Sequence, residues 1–375
     1  MHTPAWIVVV TLLVAVAALA VSAAALVVVR RRGRTATLAP APDHVAAPPP
    51  REPVYAFVLN PSKPAASELR GQIDAIFAAR GLRAALWFET TLEDAGQEAA
   101  REALEAGADV VVAVGGDGTV RAVAETLARS GSTMGVLPLG TGNLLARNLD
   151  IDVNDVDAAL ETALGPYARR IDVGRIRLLG GEHDAPGHED EDDSQVFLVI
   201  GGMGFDAAMV ADTRSSLKAR LGWLAYFMAG ARHLHARRIE LGITIDDRPE
   251  VRAKLRTLLV GNCGRLPGGL TLLPSALIDD GILDLAAVDT RGGVVGWVQL
   301  FGEVLMQGIG IRNDLPNKIG RIDHTTGTHV VVRAAQPQQV QIDGEVLGEA
   351  AGLEAWVDPG ALTVRAPAPR LVTHR

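Results

Sequence analysis

The chain has 375 residues, of which 48% are apolar and 4% aromatic, with one cysteine and a formal net charge of −8. One cysteine excludes an internal disulfide framework. A net acidic chain also lacks the basic field that draws in phosphate backbones, so no nucleic-acid partner is expected, and nothing in the composition sets an oligomeric state.

From Ala5 to Val29 the sequence carries no charge, and only Thr11 and Ser22 interrupt it with polar side chains. A run of that length can span a hydrocarbon core as a helix. Arg30, Arg31, Arg32 and Arg34 follow at once. The basic flank predicts a single transmembrane helix over 5–29 in the cell membrane, with the N-terminus outside and the rest of the chain cytoplasmic. A cleaved signal peptide is the competing reading, but such peptides carry their positive charge ahead of the apolar region. Residues 30–53 read as a basic flank and a Pro/Ala-rich linker.

From residue 54 to 165 strand and helix patterns alternate. "VYAFVLN" (54–60) reads as a buried strand, and the next segment places Leu69, Ile73, Ile76 and Phe77 on one helical face. A strand over 82–90, a helix over 93–106, a strand over 109–114 and a helix over 119–130 follow. The last of these turns Val120, Val123, Ala124 and Leu127 inward. A fourth strand, "MGVLPLG", and a short helix over 142–149 close the series. Such alternation predicts a parallel sheet covered on both faces. Between 166 and 367 strand-like runs dominate, with helical patterns only around 206–236 and 292–308. This half is expected to be a mainly antiparallel β-sandwich, with a return of the last strands to the first domain left open. The acidic stretch 180–195 contains His183 and His188; a metal site is conceivable there, and a solvated hairpin loop is favoured. Cys263 reads as a small buried hydrophobe.

Three loops at strand ends carry the candidate chemistry. The stretch "VVVAVGGDGTVRAVAE" (110–125) ends a strand on Gly115-Gly116-Asp117-Gly118-Thr119 and opens a helix. Glycines there let a phosphate approach the backbone, and the first-turn N–H groups face the anion. Asp117 would repel a nucleotide unless a cation intervenes, which suggests Mg²⁺. A tight turn with Asp117 as a helix cap is the plain alternative. "LPLGTGNLLARNL" (137–149) brackets Thr141 between Gly140 and Gly142, with Asn143 after them. "NPSKP" (60–64) offers Lys63 as a point charge for phosphate. In the second half, "IDGE" (342–345) sets Asp343 and Glu345 on either side of Gly344. The pair suits a division of labour between a structural or metal-holding carboxylate and a proton acceptor. An ordinary type I′-like hairpin turn fits as well.

"GGDGT", "PLGTGN" and "DGE", in that order, resemble the diacylglycerol kinase catalytic family, which includes sphingosine kinases and bacterial lipid kinases. "NPSKP", Thr90–Thr91, "RIDVG" (170–174), "GMGFDA" (202–207) and "LPSALIDDGILDL" (273–285) extend the resemblance over about 54–367. It implies a two-domain, NAD kinase-like architecture with ATP and Mg²⁺ in the cleft and a membrane lipid as phosphoryl acceptor. Carried over by position, the nucleotide would touch Asn60, Pro61, Ser62, Lys63, Pro64, Thr91, the run Gly115, Gly116, Asp117, Gly118, Thr119, Val120, Arg121 and Ala122, and then Gly140, Thr141, Gly142 and Asn143. Glu345 matches the family's proton acceptor, with Asp343 and Asp117 grouped beside it. Asp117 and Asp172 match acidic residues of the metal and water network. A structural Mg²⁺ is implied at Asp280 with the carbonyls of Leu277 and Ile282. Two positions depart from the pattern: Ala122 replaces the Glu of GGDGTxxE, and Leu144 replaces the Asp of PLGTxND.

The reading that results is an ATP-dependent lipid kinase converting diacylglycerol to phosphatidate. Arg232, Arg237 and Arg238 are candidates for facing anionic headgroups or simply solvent. An NAD kinase is the alternative enzyme, and a membrane-tethered nucleotide- or lipid-binding module without turnover is the alternative outside catalysis.

Overall fold

The computed structural model describes residues 52–63, 66–180, 193–204, 238–266, 271–290 and 320–368. Its first half is built on β1 (Tyr55–Leu59), β2 (Leu86–Glu89), β3 (Val110–Gly115) and β4 (Thr133–Pro138). These pair in parallel in the order β2–β1–β3–β4. Every residue of β1 and β3 is buried. That is why they read as unbroken apolar, β-branched runs rather than alternating ones: helices cover both faces of a parallel sheet.

Those helices are α1 (Ala66–Arg80), α2 (Gln97–Glu105), α3 (Asp117–Leu127), α4 (Leu144–Asn148) and α5 (Val156–Leu164). α1 buries Leu69, Ile73 and Phe77. α3 buries Val120, Val123, Ala124 and Leu127, the spacing of one helical stripe. Each fully buried Val, Leu, Ile or Phe among them contributes about 1.5–3 kcal/mol. α2 begins where Asp94 Oδ1 accepts the Gln97 N–H at 2.9 Å and the Glu98 N–H at 3.2 Å. Its cap is therefore a side chain three residues upstream.

The second half contributes β5 (Ala168–Leu179), β6 (Gln195–Phe197), β7 (Ile200–Met203), β8 (Ile239–Ile245), β9 (Val251–Leu255), β10 (Thr257–Gly261), β11 (Leu283–Thr290), β12 (Gly320–Gly327), β13 (His329–Ile342) and β14 (Glu345–Arg365). All their pairings with one another are antiparallel. β13 pairs with β14 along one edge. Along the other, Val330–Ala334 pair with β8 and Val340–Ile342 with β7. The register shift between Arg333 and Gln338 spans Pro337, which has no N–H to give the ladder. The two branches enclose a core that includes Ile176, Phe197, Met203, Leu241, Leu285 and Val332. This is the expected β-sandwich.

One strand joins the halves. β14 begins at the DGE turn, runs 21 residues, and ends with Thr363 and Val364 paired in parallel to Thr133 and Met134 of β4. Among the described residues all fourteen strands thus belong to a single branched sheet.

The expected membrane anchor is corrected. No described helix is long and apolar enough to cross a membrane. The longest described, α1, has 15 residues and carries Glu68, Arg70, Asp74 and Arg80, whereas a span needs about 20 apolar residues. The span placed at 5–29 lies outside the described residues. The described fold contains no transmembrane helix, and single-pass placement in the cell membrane is withdrawn. The helical patterns at 206–236 and 292–308, with His183, His188, Arg232 and Arg237, also lie outside the described residues. Arg238 is described, and it pairs with Asp289 at 2.6 Å rather than standing free.

Candidate functional site

The three glycine- or proline-bearing loops meet at the C-terminal ends of β1, β3 and β4. Asn60 continues the β1–β3 pairing by donating its N–H to the Val114 carbonyl at 3.0 Å. Its side-chain amide reaches the Thr119 hydroxyl at 3.3 Å, tying the first loop to the GGDGT turn. Asn60 Oδ1 also accepts from the Ser62 N–H and hydroxyl, at 3.0 and 2.6 Å. Pro61 and Ser62 are exposed and Lys63 is half-buried. Pro64 lies outside the described residues.

The GGDGT and PLGTGN loops touch backbone to backbone. A Cβ on Gly140 would lie 2.7 Å from Gly116 Cα, and one on Gly116 would lie 3.9 Å from Lys63 Nζ. A side chain on Gly140 has no room between these loops, which is the physical reason for glycine there, whereas a Cβ on Gly116 would meet Gly140 Cα at 3.5 Å, an ordinary contact. Asn143, in the left-handed conformation at φ 49°, clamps Gly140 from both sides. Its Oδ1 accepts the Gly140 N–H at 2.9 Å, and its Nδ2 donates to the Gly140 carbonyl at 2.8 Å. Thr141 is exposed at the tip. Thr91 is exposed too, but its hydroxyl accepts from the Glu93 and Asp94 N–H groups at 3.2 and 3.0 Å and shapes its own loop.

Asp117 opens α3 and faces the neighbouring loop. Its two oxygens accept the Leu144 N–H at 2.6 Å and the Asn143 N–H at 3.0 Å. The carboxylate therefore holds the start of α4 against the start of α3. Burial pushes its carboxyl up, the Leu144 and Asn143 N–H groups pull it down, and the Glu345 charge pushes it up again. As a metal ligand it has only the lone pairs these bonds leave free. Ala122 and Leu144, where the motifs elsewhere carry carboxylates, are buried apolar side chains, 1% and 8% exposed.

The DGE turn comes over α3 from the second half. Ile342 and Glu345 are paired, and Asp343 and Gly344 between them have φ of 47° and 88°, as a type I′ turn requires. The turn and the site are thus one object. Glu345 lies flush on Gly118, where a Cβ would fall 2.6 Å from Glu345 Oε1. Glu345 Oε2 pairs with Nη2 of Arg121, one helical turn further along. Gly118 and Arg121 share a helix face, three residues apart.

Asp343 does different work. It is 7% exposed, and its oxygens accept the N–H groups of Leu198, Val199 and Ile200 at 2.7, 2.9 and 2.9 Å. Burial pushes its carboxyl up to about 6 against those three bonds and the Arg121 charge. Engaged by three backbone donors, this carboxylate fixes the turn that presents Glu345.

Asp172 is 2% exposed and accepts the Gly281 N–H at 2.6 Å and the Gly360 N–H at 2.7 Å. It pins the 278–282 loop to β14 and lies apart from the glycine loops in the bonding network. Asp280 is exposed and accepts the Ile282 N–H at 3.1 Å. Burial, then the Asp172 and Asp279 charges, push its carboxyl up, against the Ile282 bond. Leu277 is 55% exposed. Among the described residues no group of three or more His, Cys, Asp or Glu side chains could hold a metal ion.

Two features escaped the sequence reading. Asn262 is fully buried and donates to the Asp172 and Leu198 carbonyls at 2.9 and 3.2 Å, bridging the Asp172 and Asp343 networks. An amide directly after the apolar run 257–261 was the available signal. The Arg121–Glu345 pair joins residues 224 apart, and no local pattern marks it. Cys263 is buried, as expected, and burial raises its thiol well above the ordinary value.

Comparison with known proteins finds a family for both halves of the chain. Residues 55–176 match the model of the diacylglycerol kinase catalytic domain, and residues 200–366 that of the YegS C-terminal NAD kinase beta sandwich-like domain. A Pseudomonas aeruginosa protein named "Probable lipid kinase YegS-like" is 32% identical over 315 residues, covering 83% of this chain and 94% of the relative. A Pseudomonas savastanoi protein of the same name is 34% identical over 282 residues, covering 73% and 81%. A crystal structure described as a diacylglycerol kinase from Bacillus anthracis superposes with a TM-score of 0.62 at 21% identity, covering 86% of this chain and 99% of that one.

Proposed function

This chain belongs to the family of YegS-like lipid kinases, and from that premise we propose that it transfers the γ-phosphoryl group of ATP to a lipid hydroxyl, with diacylglycerol as acceptor and phosphatidate as product. The observation that carries the reading is the convergence of Glu345 on Gly118 at the start of α3.

The first-turn N–H groups of α3 have no intrahelical partners and suit the phosphates of a nucleotide. Lys63 adds a positive charge beside Gly116. Glu345 stands at the same helix end, positioned by the Asp343 turn, and takes the acceptor's proton. In the transfer the acceptor oxygen bonds to the γ-phosphorus. The bond from that phosphorus to the β,γ-bridging oxygen breaks, its electron pair leaves with ADP, and the hydroxyl proton passes to Glu345. Positioning and electrostatics dominate this chemistry, so the rigidity of the three loops matters more than any covalent role for the protein.

A Mg²⁺ fits beside Asp117, since such ions commonly take one or two carboxylates with phosphate oxygens and water completing the shell. It would supply charge neutralisation on the phosphates. A second, structural Mg²⁺ would be held by Asp280 with the carbonyls of Leu277 and Ile282. The donor set, one carboxylate and two backbone carbonyls, is of the kind a hard cation takes.

The test is transfer from γ-labelled ATP in the presence of Mg²⁺ to diacylglycerol, monoacylglycerol, a sphingoid base and NAD, with the lipids in detergent micelles. Labelled phosphatidate is expected. Label in another lipid overturns the diacylglycerol assignment, and label in NAD overturns the lipid reading. ATP binding without transfer to any acceptor overturns the catalytic one.

A further inference from the structure

Arg121 is placed to do more than neutralise Glu345. Its side chain is only 12% exposed, and Nη2 is engaged by the Glu345 carboxylate, whose own side chain is 51% exposed. Its Nε is buried and has no hydrogen-bond partner. A guanidinium offers five donors in a planar fork that matches phosphate oxygens in pairs. Arg121 also projects from the first turns of the helix whose N-terminus receives the phosphates in the function proposed above. Asp117 is spoken for by two backbone N–H groups, and the positions of the two further motif carboxylates are the buried Ala122 and Leu144. Beyond Asp117 the chain therefore provides few anionic ligands for a divalent cation at this end of the cradle, and it adds a cation of its own.

We propose that Arg121 is a catalytic residue that exchanges partners, paired with Glu345 in the nucleotide-free protein and with the terminal phosphate of a nucleoside triphosphate when one is bound. The exchange does two things at once. It puts a fixed positive charge on the phosphoryl group being transferred, as an arginine supplied in cis does in other phosphoryl-transfer enzymes. It also frees the Glu345 carboxylate to receive the hydroxyl proton. The inference rests on the reading that ATP occupies the glycine loops, and it adds the residue that senses the third phosphate.

Calorimetric titration of ATP and of ADP, each with Mg²⁺, into the wild type, Arg121→Gln, Arg121→Lys and Glu345→Gln tests it without turnover. Arg121→Gln is expected to weaken ATP binding tenfold or more while ADP binding stays within twofold. Arg121→Lys should retain part of the preference for ATP. Glu345→Gln, which removes the competitor for the guanidinium, should tighten ATP binding several-fold and leave ADP unchanged. Equal weakening of ATP and ADP in Arg121→Gln, or of neither, overturns the exchange and leaves the kinase reading standing. If Arg121→Gln does not fold, a reduced ATP preference in Arg121→Lys supports the exchange, and an unchanged ATP-to-ADP ratio there overturns it. A wild type that binds neither nucleotide overturns both.

Discussion

Glu345 occupies the space that a side chain on Gly118 would need: a Cβ there would lie 2.6 Å from Glu345 Oε1. The obstructing atom is the far end of a flexible side chain, and alanine is a better helix former than glycine by about 1 kcal/mol. Gly118→Ala should therefore fold normally, with a melting temperature equal to or above that of the wild type. It should also displace the Glu345 carboxylate and lower kcat at least tenfold. Steady-state kinetics beside a thermal melt checks both halves, and an unchanged kcat would show that the contact does not matter to turnover.

Gly140 meets a harder neighbour. The atom 2.7 Å from its would-be Cβ is Gly116 Cα, part of the backbone of the other loop. Gly140→Ala must push the two loops apart. Overpacking of this kind costs about 1–3 kcal/mol, and ATP affinity should fall tenfold or more because both sides of the phosphate cradle move. Urea denaturation and nucleotide titration should show losses in both quantities, unlike Gly118→Ala.

The buried turn carboxylate gives a pH signature. Asp343 has its carboxyl raised from 3.8 to about 6 in the folded protein. Between those values the native state binds more protons than the unfolded one, so this group's contribution to stability falls as pH rises through the window. At 1.36 kcal/mol per pKa unit the change amounts to about 3 kcal/mol. The stability difference between wild type and Asp343→Asn should shrink by that order from pH 4 to above pH 6. Chemical denaturation of both proteins across that range measures it, and a constant difference would contradict the assignment.

Much of the first half was legible because its signals are local. The buried run Val110–Val114, the stripe Val120–Val123–Ala124–Leu127 and the glycine turns between strand and helix each declare themselves within a dozen residues. β14 was not legible as one strand. Only its last part reads locally as a strand, the run 361–367, and its first residue, Glu345, reads as the end of the run 338–345 that belongs to β13 and the turn, because Pro359 and Gly360 break the pattern and the pairings of the middle are with distant residues. The register shift between Asp358 and Leu362 absorbs that break. The two carboxylates of the IDGE turn look equivalent in sequence. Only the fold separates Asp343, saturated by the N–H groups of residues 198–200, from Glu345, half-exposed over α3. The Leu144 N–H bond to Asp117 was equally hidden, since it joins two loops that are neighbours only once the sheet has formed.

Asp172 should matter to stability more than to chemistry. Its oxygens serve the Gly281 and Gly360 N–H groups, so Asp172→Ala leaves two donors without their charged acceptor. Each such loss costs about 1–3 kcal/mol, and Asp172→Asn, which keeps one acceptor, should fall between the two. A denaturant series on the three proteins checks the order, and a fully stable Asp172→Ala would contradict it.

The account turns on Glu345 as the group that takes the acceptor's proton. The direct measurement is γ-phosphoryl transfer to a lipid extract by the wild type and by Glu345→Gln, with ATP binding followed in parallel. The wild type should label lipid. Glu345→Gln should retain less than about 1% of that rate, consistent with loss of a general base worth roughly 10²–10⁴-fold, while binding ATP no more weakly than the wild type. Near-normal transfer by Glu345→Gln would contradict the account.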